Sequence, residues 1–107
     1  MIFNKFILTG KIKRELDTEI RFLCASARAD GAELICFAIS EDSGGKGHVA
    51  SVKSVLSAMK KENLIHFYVT ADRLDGRTVE ADFLSNKYGE YLTPSNEGYF
   101  EIYVKLQ

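Results

Sequence analysis

Asn4-Lys5-Phe6-Ile7-Leu8-Thr9-Gly10-Lys11-Ile12 decides the reading of the fold. Between Phe3 and Arg14 the chain alternates, with Phe6, Leu8, Gly10 and Ile12 on one side and Ile7, Thr9, Lys11 and Lys13 on the other, the period-two pattern of a half-buried strand. Ile20 to Arg28 and Glu33 to Ser40 read as further strands joined at Asp30-Gly31, a two-residue hairpin signal. Both faces of each are partly apolar, so the alternation leaves open which side turns inward. Glu41 to Gly47 is polar and glycine-rich, as a loop is.

From His48 to Lys61, Val49, Val52, Val55, Leu56 and Met59 recur at helical spacing, which predicts an amphipathic helix with Ser51, Lys53, Ser54, Ser57 and Lys60 on its polar side. Asn63 is its predicted stop. Ile65 to Leu74 and Arg77 to Ser85 then flank a second hairpin signal, Asp75-Gly76. Lys87 to Gly98, with the only proline, Pro94, reads as a long loop that also holds Asn96. The last strand places Phe100, Ile102, Val104 and Leu106 inward and Tyr99, Glu101, Tyr103 and Lys105 outward. This order predicts an all-β domain with one helix: a five-stranded barrel with the helix between strands three and four, plugging one end with Val52, Leu56 and Met59.

The chain's 107 residues fit one domain, 1–107, and a composition of 46% hydrophobic and 27% charged residues is that of a globular protein. With 14 Lys and Arg against 15 Asp and Glu, the net charge of -1 gives no overall positive field, so any polyanion must be held by local patches. No apolar run reaches the roughly 20 residues of a membrane span, and Met1-Ile2-Phe3-Asn4 lacks a leader pattern, so the expected location is cytoplasmic, without a membrane partner. Cys24 and Cys36 lie in apolar runs and, across an Asp30-Gly31 hairpin, would project to opposite faces, which argues against a disulfide. Two cysteines and two scattered histidines make no zinc set.

The opening quoted above resembles the Asn-Lys-x-x-Leu-x-Gly-x-Leu/Ile start of bacterial single-stranded DNA-binding proteins and their primosomal replication relatives. Met59-Lys60-Lys61-Glu62-Asn63-Leu64-Ile65-His66-Phe67-Tyr68-Val69-Thr70-Ala71 is similar to that family's Leu-x-Lys-Gly-x-x-Val-Tyr-Ile-x-Gly passage, with Phe67, Tyr68, Val69 and Ala71 in the places of Val, Tyr, Ile and Gly. The resemblance implies an oligonucleotide-binding (OB) barrel, single-stranded DNA or RNA as ligand, a homodimer or homotetramer, and replication proteins as partners. The departures are Glu62-Asn63 in place of the family's glycine, the absence of tryptophan, and an ending at Lys105-Leu106-Gln107 without an acidic tail. These favour an accessory role in replication or recombination over a general replicative one.

Such a barrel stacks bases on exposed rings while cations follow the backbone. Tyr68, Tyr99 and Tyr103 are the expected rings, and Lys11, Lys13, Arg14, Arg21, Arg28, Arg73, Arg77 and Lys105 the expected cations. The competing expectation is that Tyr99 and Tyr103 face a second layer or a partner, in a protein-protein interaction or oligomerisation module without nucleic acid. Gly44-Gly45-Lys46-Gly47-His48 precedes a helix, where free N–H groups attract anions, yet it lacks Walker spacing and reads as a connection. No pattern of nucleophile, base or paired carboxylates points to an enzyme, and no cofactor is implied.

Overall fold

Leu34-Ile35-Cys36-Phe37-Ala38-Ile39 is apolar at every position, and all six side chains are buried. A strand of that kind needs cover on both faces, which a barrel with one wet side does not give. The computed structural model describes residues 2–41, 45–76, 78–93 and 98–107, with residues 45–47 described by their backbone alone. Its elements are β1 (Phe3–Ile7), α1 (Lys13–Ala29), β2 (Leu34–Ser40), α2 (Gly45–Lys61), β3 (Ile65–Thr70), α3 (Val79–Tyr88) and β4 (Tyr99–Leu106). Among the described residues the strands form one open sheet in the order β1-β2-β4-β3, with β1 parallel to β2 and β4 antiparallel to both of its neighbours. The last strand is therefore interior, and β1 and β3 are the edges.

One face of the sheet packs against α1 and α2. Leu16, Ile20, Cys24 and Ala27 of α1 and Val52, Val55, Leu56 and Met59 of α2 meet Ile35, Phe37 and Ile39 of β2 and Ile102, Val104 and Leu106 of β4. On the opposite face Ala81, Leu84 and Tyr88 of α3 meet Leu34, Cys36, Val69 and Tyr103, with Phe3, Phe67, Tyr91 and Leu92 closing the margin. The result is a three-layer α/β arrangement.

The expected five-stranded barrel is thus corrected to an open α/β sheet, and the helix expected between strands three and four, α2, lies between strands two and three. Ile20 to Arg28, expected as a strand, belongs to α1, because Leu16, Ile20, Leu23, Cys24 and Ala27 repeat on a helical stripe that the local Ile20-Phe22-Cys24 alternation hides. Asp30-Gly31 is not a hairpin but the end of that helix. Gly31, at φ 89°, donates its N–H to Arg28 O while Ala32 donates to Ala27 O, the pair of bonds of a Schellman cap. Arg77 to Ser85, also expected as a strand, is overturned by α3, whose first turn is capped by the Thr78 hydroxyl accepting from Ala81 N–H at 3.1 Å. Asp75-Gly76 accordingly leads into a helix.

Other expectations hold in part: the strand expected from Phe3 to Arg14 ends at Ile7, with Lys13 and Arg14 opening α1, and the one expected from Ile65 to Leu74 ends at Thr70. The helix predicted from His48 to Lys61 is α2, which begins slightly earlier, and Asn63, at φ 62°, ends it as Leu64 donates back to Met59 O. Residues 45–47 are helical, which leaves no separate anion-binding loop there, and Gly44 lies outside the described residues. Pro94 and Asn96 of the expected long loop also lie outside them, while Lys87 and Tyr88 belong to α3. The inward side of β4 is as predicted, but the outward side is corrected: Tyr103 is 1% exposed and Glu101 3%, because α3 and the chain around Tyr91 form a second layer.

Glu101 is the one charged residue in the interior among the described residues. Lys5 pairs with its Oε2, and Oε1 has no hydrogen-bond partner among the described residues. In the register Lys5 stands opposite Cys36 and Glu101 opposite Ala38, so the ion pair crosses β2 diagonally above two small side chains. The hydrogen bond to Glu101 holds the Lys5 ammonium above its ordinary 10.5, against the lowering effect of burial. Its stabilising share is therefore present throughout the neutral range and disappears only as pH rises through that raised value.

Two stability outcomes follow from this packing. Ile102→Asp and Tyr103→Asp each bury an unpaired charge, and thermal melts should show comparable losses of several kcal/mol, roughly 3 or more. Lys5→Met strands the Glu101 carboxylate and should cost about 3 kcal/mol in a urea melt at pH 7, whereas Lys5→Met with Glu101→Leu should recover most of it.

Candidate nucleic-acid interface

β1 ends at Ile7, and Leu8 N–H still reaches Ala38 O at 2.9 Å before the chain turns towards α1. Gly10 makes that turn possible, since a Cβ there would stand 3.0 Å from Leu16 N and 3.1 Å from Leu16 Cδ2. Ile12 caps α1 without any side-chain acceptor, so the turn's donors are satisfied from further along the helix. Glu15 accepts from Lys11 N–H at 2.9 Å. Glu19 accepts from Thr9 N–H at 3.1 Å, from the Thr9 hydroxyl at 2.9 Å and from Gly10 N–H at 2.9 Å. On the other flank His48 Nε2 lies 2.7 Å from Lys11 O. A carbonyl only accepts, so this nitrogen carries the proton, and the buried Nδ1 has no hydrogen-bond partner among the described residues.

Along this turn runs an open cleft of about 820 Å³ lined by Thr9, Gly10, Lys11, Arg14, Glu15, Thr18, Glu19 and Phe22. Lys11, Lys13 and Arg14 are exposed and make no ion pair among the described residues. Phe22 is 68% exposed. The lining's formal charge is balanced, with Lys11 and Arg14 against Glu15 and Glu19, but both carboxylates are turned onto backbone N–H groups. The cations are left facing solvent, next to a helix start whose dipole is positive.

The other expected site residues that are described do not join this cleft. Arg21 is held between Asp17 at 2.6 Å and Glu62 at 2.7 Å, and its hydrogen bonds to Glu62 and then Asp17 push its pKa up while that of Glu62 goes down. Arg28 borders a small cavity with Cys24 and Leu64. Tyr68 lies under α2, with its hydroxyl 2.8 Å from Ser57 Oγ. Tyr103 is buried on the opposite face and donates its hydroxyl to Thr93 O at 3.4 Å, and Tyr99 is half-buried on that same side of β4. Lys105 Nζ donates to Leu106 O at 2.7 Å, and burial lowers its pKa. Arg73 is exposed after β3, and Arg77 lies outside the described residues.

Of the three tyrosines and eight cations expected to form a groove, the structure brings Lys11, Lys13 and Arg14 together, and the other described members lie scattered over both layers. Phe22 was missed, and the signal that finds it is helical: it falls off the stripe of Leu16, Ile20, Leu23, Cys24 and Ala27. Both cysteines are free, Cys24 against the α1–α2 layer and Cys36 against the α3 layer, and burial pushes both thiols up to about 12. Among the described residues no three His, Cys, Asp or Glu side chains are grouped to hold a metal ion.

Fold and cleft together define the class: an α/β protein with an open mixed sheet and a polar cleft at the carboxyl end of its first strand. Compared with protein-family models, with curated proteins and with solved structures, the chain finds no match. No described helix is long and apolar enough to cross a membrane.

Glu19→Ala leaves three turn donors without their acceptor. Hydrogen exchange at Thr9 and Gly10 should accelerate, and stability should fall by about 1 kcal/mol, a modest loss because the turn is partly open to water.

Proposed function

We propose that the chain binds single-stranded nucleic acid at the cleft between β1 and α1, without catalysing a reaction. The observation that carries this is the exposed Phe22 ring sharing one cleft with the unpaired cations Lys11 and Arg14, with Lys13 beside them. A ring with an open face stacks any base, at about 1–3 kcal/mol, and flexible cations take the phosphates on either side. One ring and three cations engage a few nucleotides, so binding is micromolar or weaker, with little base preference.

The support is this cleft and not a barrel groove. DNA and RNA strands both offer the base faces and phosphates it would take. An accessory part in replication or recombination, in the cytoplasm, belongs to the same proposal, and the two reduced, buried cysteines are in keeping with that compartment.

Fluorescence anisotropy with labelled oligo-dT and oligo-U tests it. Binding should appear at low salt and weaken as salt rises, with a logarithmic slope no steeper than about -2 for three phosphate contacts. Phe22→Ala should cost about 1–3 kcal/mol in affinity, and Lys11→Glu with Arg14→Glu should abolish binding, while Arg28→Ala leaves it unchanged. No binding at low salt and high protein concentration would overturn the proposal.

A further inference from the structure

The two edges of the sheet are unlike. β1, with the sequence Phe-Asn-Lys-Phe-Ile, carries Lys5 at its centre, and a lysine on an edge strand discourages further pairing. β3 is Ile65-His66-Phe67-Tyr68-Val69-Thr70, without a lysine, arginine, carboxylate or proline. Its register on β4 shifts between Ile65 and Phe67, so the regular part of the edge is the four residues from Phe67 to Thr70. Along that part lies a groove of about 270 Å³ whose floor is Tyr68, Val69 and Thr70. Lys53 of α2 stands on one wall, Thr78 and Glu80 at the start of α3 on the other, and Arg73 at the end.

The two walls differ in chemistry. Lys53 on the α2 side and Arg73 at the end of the groove are exposed and unpaired among the described residues. On the α3 side, Phe83 is 40% exposed and meets Phe67 edge-on at 6.0 Å, and Val79, one helical turn earlier, is 82% exposed. A strand added to β3 would send alternate side chains to these two walls.

We infer that the β3 edge is a docking site for an extended peptide segment of a partner protein, with acidic and apolar residues in alternation. Its backbone continues the sheet beyond β3, its acidic side chains lie beside Lys53 and Arg73, and its apolar ones cover Phe83 and Phe67. A second copy of this chain fits less well. An antiparallel β3–β3 pairing about a twofold axis brings the two α2 helices onto the same side, and each carries Lys53 and Lys60, seven residues apart and so on one stripe of the helix. The site is remote from Phe22 and stands whether or not nucleic acid binds there.

The test uses a short labelled peptide alternating glutamate and valine, with a lysine-valine peptide and a scrambled glutamate-valine peptide as controls. The alternating acidic peptide should bind and shift the amide resonances of Phe67 to Thr70. The controls should bind at least about tenfold more weakly. Lys53→Glu should weaken binding about fivefold or more, Phe83→Glu should remove it, and Phe22→Ala should leave it intact, which separates this site from the proposed nucleic-acid cleft. No binding by the acidic peptide up to about 1 mM, or shifts centred away from β3, would overturn the inference. So would a dimer in sedimentation equilibrium that Phe83→Glu dissolves, since a second copy would then occupy the edge.

Discussion

Burial of the β2–β4 pair on both faces is the constraint from which the rest of the architecture follows. Leu34 to Ile39 and Ile102 to Val104 are enclosed above and below. Two strands of this kind need a helical layer on each side, and α1 and α2 supply one while α3 supplies the other. Having β4 antiparallel between β2 and β3 also decides what remains open. β1 and β3 become the rims, and the turns following them come to stand at one end of the sheet, where Lys11, Arg14 and Arg73 are found.

The Lys5–Glu101 pair shows how tight that constraint is. The Glu101 carboxylate is buried in an interior strand, and the counter-charge it meets among the described residues comes from an edge strand, over Cys36 and Ala38. Larger side chains at those two positions would block the approach. Their small size, which looks unremarkable in a strand, leaves room for the pair to cross β2.

Much of the local structure was legible from the sequence and the fold was not. α2, β4 and the Asn63 stop are where periodicity and capping chemistry place them, and β1 starts as expected but ends at Ile7, short of the Arg14 to which the alternation ran. The failure came from two signals with more than one physical meaning. Asp-Gly closes a hairpin, but Gly31 at positive φ also ends a helix, and the helical stripe from Leu16 to Ala27 runs up to that cap. The other was β4. Alternation says which residues share a face and is silent on whether that face is covered, so Tyr103 read as a surface ring although a second layer lies over it. The unbroken apolar run of β2 held the answer, since a strand apolar on both sides is one with helices on both sides. In the cleft, the cations were legible because charge needs no fold to be noticed, whereas Phe22 acquires its exposure only once α1 is seen as a helix.

The placement of β4 bears on how the molecule comes to exist. Its pairing partners on β2 precede it by about sixty to seventy residues, so the sheet's centre is closed by contacts of long sequence separation. On the ribosome, β1 and β2 can pair around α1 as they emerge, but β2 and β3 remain unjoined, each with a bare inner edge, until Tyr99 to Leu106 has been made. The nascent chain therefore passes through a stage with two open strand edges. That is the stage at which a chaperone, or a premature stop before Tyr99, would decide its fate.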